Sequence, residues 1–361
     1  MKWRTSAWIL ACCLAAPSFA AQLHVPSEYP TIQAALAVAG YGDTILLAPG
    51  SYSGEGFVNL AGSFYYGQLT STAGPESTVI NLEGERFWSG DVAVRNLTLS
   101  GGSTAVEGRW LDFYNCRFVN NDLGISVVTP DCQSQFSAGG CVFIDNDTAV
   151  AIEKNNSGYA LFSRCIFLRN VLGIHQYGHE CGSIYCVFSI FAYNETAVQA
   201  DSSNIYHFGG ISYYNSSLGN LILGGPPNCE LIWPPTQRYV NVDDLGETFS
   251  LTSSFADPLF CDTTLAVGSD VYVYSPALKE NSGCTNDAGN VSVGCGCGDA
   301  DMSHEINVAD LTFLVGYLFQ GGPAPAPIEA GEMDGQTGVY ITDLTYIIDF
   351  LFLGGPSPLC P

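Results

Sequence analysis

The sequence predicts an all-β fold, a parallel β-helix in which the chain winds as a solenoid, followed by a small helical module. Three observations predict it: a repeat of 24 or 25 residues, an alternation of apolar and polar residues inside each repeat, and a composition rich in turn formers. Glycine occurs 40 times in 361 residues, and charged residues make up only 13%. Such a composition favours strands and turns over long helices.

Residues 1–20 have the pattern of an export signal. Lys2 and Arg4 give a positive start, Ala7–Ala16 is a short apolar stretch, and Ser18–Ala20 supplies small residues for a cut after residue 20. About ten apolar residues cannot cross a hydrocarbon core of ~30 Å, and no later segment has 18 uninterrupted apolar residues. We therefore expect no transmembrane segment and a secreted or cell-surface location. A lipoprotein cut before Cys12 is the alternative.

The charge balance narrows the classes of partner. Lys and Arg number 11 and Asp and Glu number 35, which gives a net charge of −24. Such a surface repels phosphate groups, so we expect no nucleic-acid partner and no attraction to anionic lipid. There are 14 cysteines, and in an oxidising compartment several of them should form disulfide bonds.

The middle of the chain repeats around an asparagine. The aligned asparagines are Asn121, Asn146, Asn170 and Asn194, spaced by 25, 24 and 24 residues, with a looser copy at Asn215. Each repeat alternates apolar and polar residues, which is typical of a strand. A constant period of this size indicates a solenoid, and we expect the asparagine side chains to bond to one another between successive coils.

Other positions of the repeat predict what lies inside and outside the coils. Cys116, Cys141 and Cys165 open three repeats, and we expect them to form a stacked interior column of free thiols. Val142, Ile166 and Ile190 fall on the outward side, where we expect a stripe covered by residues 231–295; a partner site is the alternative.

A leucine-rich repeat is the alternative fold, because it has a similar period and also carries an asparagine. It requires leucines at fixed places and often a helix in the second half of each repeat. Here the second halves are rich in Gly, Ser, Asn and aromatic residues and lack a helical period. The pattern therefore favours the β-solenoid.

The N-terminal run Val25–Tyr52 contains a predicted helix, Thr31–Ala39, which ends at Gly40, and a buried strand, Thr44–Ala48. This run resembles the opening of secreted right-handed parallel β-helix proteins of the pectate-lyase-like superfamily, in which the helix caps the open end of the coil. Matches continue to the closing region near Ala256–Asp262. The resemblance covers residues 22 to about 295 and implies a fold, not a reaction. It places the solenoid at 21–230 and an irregular continuation at 231–296.

Residues 297–361 form a second predicted domain with two copies related by 33 residues. Each copy predicts a helix, within Asn307–Pro323 and Tyr340–Pro356, and each ends in Gly-Gly-Pro. Oxygen-bearing side chains precede the first helix and enter its first turn: Asp299, Asp301, Ser303, Glu305, Asn307 and Asp310. Alternating oxygen ligands of this kind bend around calcium.

The second loop matches the calcium spacing less well. Glu332, Asp334 and Asp343 occupy ligand positions, but Gln336 is a weaker ligand and Tyr340 does not suit its position. The alternative is a helical pair without metal, held together by its apolar core.

The duplicated loop–helix pattern resembles a dockerin-type module, although His304 stands where glycine eases the turn. The resemblance implies a cohesin-like surface domain as partner; a passive anchoring tag is the alternative. Cys297 and Cys360 flank the module, and we expect them to pair.

The solenoid carries one dense group of titratable side chains at outward positions. Glu153, His175 and Asp201 are the candidate catalytic residues, and Tyr177 and Lys154 are candidates for binding a saccharide. The alternative is a solvated polar face, which every solenoid needs.

We expect a non-catalytic surface or carbohydrate-interacting protein attached through a calcium-binding module, with a polysaccharide as possible ligand. A polysaccharide lyase or glycosidase is one alternative, and an adhesin-like structural protein is another. Adjacent paired aspartates with a Gly-His-Gly and an Arg-x-Lys, which lyases and polygalacturonases of this fold carry, are not found together here.

Overall fold

The structure of the chain is a computed structural model. It describes residues 20–53, 67–89, 92–128, 135–153, 159–178, 183–201, 205–219, 221–223, 231–233, 258, 270–272, 275, 277–278, 288–289, 291–303, 305–325 and 328–359. The predicted export signal, apart from Ala20, lies outside the described residues.

Three parallel sheets, A, B and C, form the faces of a β-solenoid. In spatial order, the strands of sheet A are Gln22–Val25, Thr44–Leu47, Gln68–Ser71, Val92–Arg95, Trp110–Tyr114, Gln135–Gly139, Tyr159–Ser163, Ile184–Val187, Ile205–Phe208 and Leu221–Leu223. Those of sheet B are Gly50–Tyr52, Thr78–Asn81, Thr98–Ser100, Arg117–Val119, Val142–Ile144, Ile166–Leu168, Ile190–Ala192, Ile211–Tyr213 and Leu231–Trp233.

The strands of sheet C are Arg86–Ser89, Thr104–Gly108, Leu123–Val127, Thr148–Glu153, Leu172–Tyr177, Thr196–Ala200 and Ser217–Gly219. A small parallel pair, Asp270–Tyr272 with Ser292–Cys295, lies outside these three sheets. The predicted parallel β-helix is confirmed.

Equivalent residues of successive repeats lie directly over one another. Phe118 pairs in register with Phe143, which pairs with Phe167, which pairs with Phe191. Their rings stack at centroid distances of 5.0, 4.8 and 4.6 Å with planes within 8° of parallel. This buried stack gives each coil an apolar face that only the next coil covers, as expected of a solenoid.

The asparagine ladder is also present. Asn146 donates its side-chain amide to Asn170 Oδ1 at 2.9 Å, and Asn170 donates to Asn194 Oδ1 at 2.9 Å. The same oxygens accept the backbone N–H of the preceding ladder residue, and the ladder side chains are buried. Each asparagine therefore satisfies backbone groups that the tight corner between sheets B and C would otherwise leave unpaired.

The predicted cysteine column is confirmed, because Cys116, Cys141 and Cys165 are free and fully buried. Burial raises the pKa of the Cys116 and Cys141 thiols well above their ordinary value. These thiols therefore stay protonated and act as small apolar groups.

The N-terminal helix α1, Ile32–Leu36, is shorter than the predicted Thr31–Ala39. Thr31 caps it by accepting the Ala34 N–H at 3.0 Å, and three of its side chains are buried in the solenoid core. Backbone bonds of the helical kind continue beyond it, from Ala37 N–H to Gln33 O at 2.9 Å and from Ala39 N–H to Ala35 O at 3.0 Å. They end at Gly40, whose N–H donates to the Asp43 carboxylate at 2.8 Å. The helix lies against the first strand of sheet A, at the end of the coil that it was predicted to cap.

The outer face of sheet B is covered by a later part of the chain, as predicted. Ile166, Ile190 and Ile211 are buried outside the coil in a cluster that contains Val271 and Leu278. Gly289 joins this cover to the solenoid by donating its N–H to Gly209 O at 2.6 Å. The segment after residue 270 thus gives the solenoid a second layer on one face.

The C-terminal module has two main helices, as predicted. Helix α2 is Val308–Gln320, and helix α3 is Ile341–Ile348, which continues as a wide turn of π-helix over Asp349–Leu353. A short 3₁₀ helix, Ile328–Gly331, lies between them. Both main helices end at a glycine in the left-handed conformation, Gly321 (φ 68°) and Gly354 (φ 75°), as the Gly-Gly-Pro pattern predicts.

The helices pack on a small core that contains Leu314, Met333 and Ile347. Val293, from the strand before the module, packs against buried Cys297 and also against the cluster that covers sheet B. The apolar contacts of the module therefore continue into the cover of the solenoid.

Within the part of the chain described, no helix is long and apolar enough to cross a bilayer.

Candidate functional site

The acidic loop before α2 brings three carboxylates together. Asp299, Asp301 and Asp310 each place an oxygen within 4.8 Å of the others. Asp299 and Asp310 are buried, and Asp301 is half-buried. Three of the six ligands predicted for this loop therefore meet at one point.

The helix N-terminus positions this cluster. Asn307 caps α2 by accepting the Ala309 N–H at 2.8 Å, and Asp310 accepts the Asn307 N–H at 2.8 Å in return. The other oxygen of Asp310 accepts the Asp301 N–H at 3.1 Å. Asp299 accepts the Ser303 N–H at 2.9 Å, which closes the loop. The loop is thus folded around its own carboxylates.

The electrostatics of the loop favour a bound cation. Burial raises the pKa of Asp310, the charges of Asp301 and Asp299 raise it further, and the hydrogen bonds from two backbone N–H groups act in the opposite direction. Negative charges held this close repel one another unless a cation or a proton lies between them. The oxygen donors and their spacing suit a hard divalent ion such as calcium.

The remaining predicted ligands of the first loop have other contacts. The Asn307 side chain caps the helix, and the Ser303 hydroxyl donates to the Glu305 carbonyl at 3.2 Å. Glu305 is exposed and is not part of the carboxylate group. The structure therefore supports a site of three aspartates. The side chains of Ser303, Glu305 and Asn307 lie outside that group.

The second loop repeats one feature of the first. Like Asp310, Asp343 accepts backbone N–H groups with both carboxylate oxygens, those of Met333 at 2.7 Å and Tyr340 at 2.8 Å. Glu332 is buried, one of its oxygens accepts the Gly338 N–H, and Oε2 has no hydrogen-bond partner. Burial raises the pKa of Glu332.

Glu332, Asp334 and Asp343, all three of which are described, do not converge as closely as the aspartates of the first loop. The three carboxylates have the same spacing along the chain in the two loops, but only those of the first loop converge in space.

Cys297, at the start of the module, is buried and disulfide-bonded. Its predicted partner, Cys360, lies outside the described residues, so that pairing stays a prediction.

The outward positions of sheet C that carry the candidate residues are in register from coil to coil. Ala151 pairs with His175, which pairs with Gln199, and Glu153 pairs with Tyr177. The rings of His175 and Tyr177 are 5.5 Å apart, at 47° to each other. The predicted alignment of these repeats is therefore correct.

Asp201 continues the column of Glu153 and Tyr177 into the next coil. It follows Ala200, which pairs with Gln176, and its N–H donates to the Gln176 carbonyl at 3.1 Å. Tyr177 therefore occupies the column position between Glu153 and Asp201. Lys154, the predicted base, lies outside the described residues.

The pKa of the Tyr177 hydroxyl is raised by its surroundings. Burial is the first cause, and the negative charges of Glu153 and Glu107 raise the pKa further. Glu107 itself pairs with Arg86 at 2.9 Å. The arrangement offers an aromatic ring bordered by carboxylates, which can bind a polar ligand.

One group of outward aromatic side chains was not predicted from the sequence. Tyr185 and Tyr206 pair in one column on the outer face of sheet A, and Tyr159 lies in the neighbouring column, since Tyr185 pairs with Leu161. The available signal was the recurrence of tyrosine near the start of three strands, Tyr159–Ser163, Ile184–Val187 and Ile205–Phe208.

These features define the protein as a parallel β-solenoid protein with a helical C-terminal module that carries an acidic loop. No protein family, no curated protein and no solved structure matches the chain. Its function therefore has to be argued from the residues themselves.

Proposed function

We propose that the protein is an exported, non-catalytic, carbohydrate-interacting surface protein that is attached to a partner through its calcium-loaded C-terminal module. One observation carries the proposal: the convergence of Asp299, Asp301 and Asp310 within 4.8 Å at the start of α2.

Calcium fits this loop because its ligands are oxygens and because the loop is already folded. Asp299, Asp301 and Asp310 would hold the ion, with Ser303 and Glu305 close by in the chain. A bound divalent cation would neutralise the repulsion that raises the pKa of Asp310. It would thereby stabilise the module in the conformation that a partner recognises.

Duplicated apolar side chains on the module support attachment. Val308 and Ile341 begin the two helices, Phe319 and Phe352 lie near their ends, and each pair is related by the 33-residue repeat. All four are more than half exposed. Exposed apolar groups on so small a module are typical of an interaction surface, and a cohesin-like domain is the partner that the dockerin resemblance implies.

The sheet C face supports binding rather than cleavage. Paired carboxylates that hydrolyse a glycosidic bond act from opposite sides of that bond. Here Tyr177 occupies the position between Glu153 and Asp201. A tyrosine in that place supports a platform for a sugar ring.

Calcium titration of the full chain tests the proposal. We expect the wild type to bind calcium in calorimetry and to unfold at a higher temperature with calcium than with EDTA. Asp301→Asn removes one ligand charge at a half-buried position and should weaken binding by about tenfold or more. Asp201→Asn, on the solenoid, is the matched control and should bind as the wild type does. A wild type without calcium binding, or an Asp301→Asn variant with unchanged affinity, would refute the proposal.

A further inference from the structure

The outer face of sheet A carries an aromatic strip, defined here as Trp110, Tyr159, Tyr185, Tyr206 and Phe208. Trp110 and Tyr159 occupy one outward column, since both pair in register with Gln135. Tyr185 and Tyr206 pair with each other in the next column. The strip runs over five successive strands, roughly 19 Å at ~4.8 Å per step.

Three rings of the strip share an orientation. Tyr185 and Tyr206 lie 5.6 Å apart with planes 17° from parallel, and Tyr206 and Phe208 lie 6.0 Å apart at 13°. Tyr185 and Phe208 complete the set at 6.3 Å and 19°. Three nearly parallel rings therefore stand on two neighbouring coils.

The strip stays accessible. Trp110, Tyr159 and Tyr185 are 42%, 49% and 36% exposed. On sheet B, by contrast, the chain buries outward side chains such as Ile190 and Ile211 under its own later segment. The aliphatic face of sheet B is thus covered, whereas these three rings of the strip keep more than a third of their surface exposed.

The chemistry of the strip selects an uncharged, hydroxyl-rich ligand. Aromatic rings pack against the C–H groups of a pyranose while the sugar hydroxyls reach polar neighbours. Asp112 and Ser137, which are hydrogen-bonded to each other, are such neighbours and lie in the column that leads to Tyr185. Arg95 on this sheet is paired with Asp112 at 3.0 Å, and the whole chain carries −24 charges, so an acidic polymer would be repelled.

We propose that the aromatic strip binds a neutral polysaccharide laid along the solenoid axis. This deepens the carbohydrate-interacting part of the proposed function, and it does not depend on the calcium loop, which belongs to another part of the chain.

Affinity electrophoresis of the full chain tests the strip, with hydroxyethyl cellulose and galactomannan as neutral probes and polygalacturonate as the acidic probe. We expect at least one neutral polymer to retard the wild type and polygalacturonate to leave it unretarded. Tyr185→Ala should weaken the retardation by about three- to tenfold, the range for loss of one aromatic contact. Tyr185→Phe, which keeps the ring, should retain most of it.

Tyr214→Ala is the matched control, because Tyr214 is an exposed tyrosine, 47% accessible, that stacks on Tyr193 outside the strip. It should bind as the wild type does, and EDTA should not alter retardation by the neutral polymer. If the wild type binds a neutral polysaccharide but no calcium, the result counts against the calcium loop alone. If it binds calcium but no neutral polysaccharide, the result counts against the strip alone.

Three results would overturn the proposal: no retardation by either neutral polymer, an equal loss in Tyr185→Ala and Tyr214→Ala, or retardation by polygalacturonate as strong as by the neutral probes. Sedimentation supplies a fourth. If Tyr185→Ala converts a dimer into a monomer, the strip is a contact between two copies of the chain.

Discussion

Each ladder asparagine uses its whole side-chain amide. Asn170 accepts two hydrogen bonds from Asn146, through its backbone N–H at 3.1 Å and its side chain at 2.9 Å. It donates to the Phe143 carbonyl at 3.1 Å and to Asn194. The residue before each ladder position has a positive φ, as at Arg169 (φ 52°), so the corner turns sharply and the amide replaces the backbone bonds that are lost.

Removal of one ladder amide should destabilise the solenoid. In Asn170→Ala, the Asn146 N–H and the Phe143 carbonyl stay buried and lose their partners, which should lower the free energy of unfolding by about 2–4 kcal/mol. Urea denaturation measures the change. Asn81→Ala, at an exposed asparagine, is the control and should cost less than about 0.5 kcal/mol. Equal losses of unfolding free energy in the two variants would mean that a buried ladder amide stabilises the fold no more than an exposed asparagine does.

At the scale of the element, the register of sheet C decides which side chains meet. The strand Thr148–Glu153 pairs with Leu172–Tyr177 so that Glu153 lies beside Tyr177, although they are 24 residues apart in the chain. The negative charge of Glu153 is one reason why the pKa of Tyr177 is raised, after burial. A slip of one residue would turn one of the two side chains inward.

This register predicts the outcome of an alkaline titration. Glu153→Gln removes a negative charge beside the phenol and should lower the pKa of Tyr177. The phenolate absorbance of Tyr177 is obtained by difference from the matching Tyr177→Phe variants. Because the folded-state pKa is raised, Tyr177 contributes stability that is fully present below about pH 10 and is lost as the pH rises through the folded-state value.

Tyr177→Phe should therefore unfold at a higher pH than the wild type. Glu28→Gln, near the N-terminus, is the control and should leave the Tyr177 titration unchanged. A Tyr177 curve that does not respond to Glu153→Gln would contradict the observed pairing.

Across the whole molecule, the later chain shields the aliphatic face of sheet B. At Gly289, an added Cβ would lie 3.0 Å from atoms of Ile190 and Ile211. The same residue has φ +70°, so a side chain there would be strained as well as crowded. The cover is therefore packed directly on the solenoid.

Two glycine variants separate crowding from backbone strain. Gly74 has φ +87° and open space around it, so Gly74→Ala should cost only the backbone term, about 1 kcal/mol. Gly289→Ala should cost about 1–3 kcal/mol more, because the cover must move away from the isoleucines. Chemical denaturation measures both losses, and a dye that binds apolar surface should respond only to Gly289→Ala. Equal losses would show that the cover does not press on sheet B.

Much of the solenoid was predictable because its contacts repeat. Asn146, Phe143 and Cys141 recur at a constant offset in the next coil, so one repeat describes the surroundings of all its copies. The spacing of the first acidic loop was predictable for a related reason, since Asp299, Asp301 and Asp310 lie within one short segment. Local and periodic order leaves a pattern that the sequence displays directly.

The remaining features depend on contacts that do not recur from one repeat to the next. Val271 covers residues of sheet B that lie about eighty positions earlier, and no local pattern records that pairing. The aromatic strip forms because coils of unequal length still align. The two acidic loops differ although Asp310 and Asp343 both accept backbone N–H groups with both carboxylate oxygens, since among the described residues only the first loop brings three carboxylates within 4.8 Å of one another. The sequence by itself thus determined the repeat, its interior, the covered stripe of sheet B and the position of the acidic loops along the chain. Only the tertiary structure decided which residues form that cover, which aromatic side chains meet on the outer face of sheet A and which carboxylates converge, because these depend on distances in space and not on spacing along the chain.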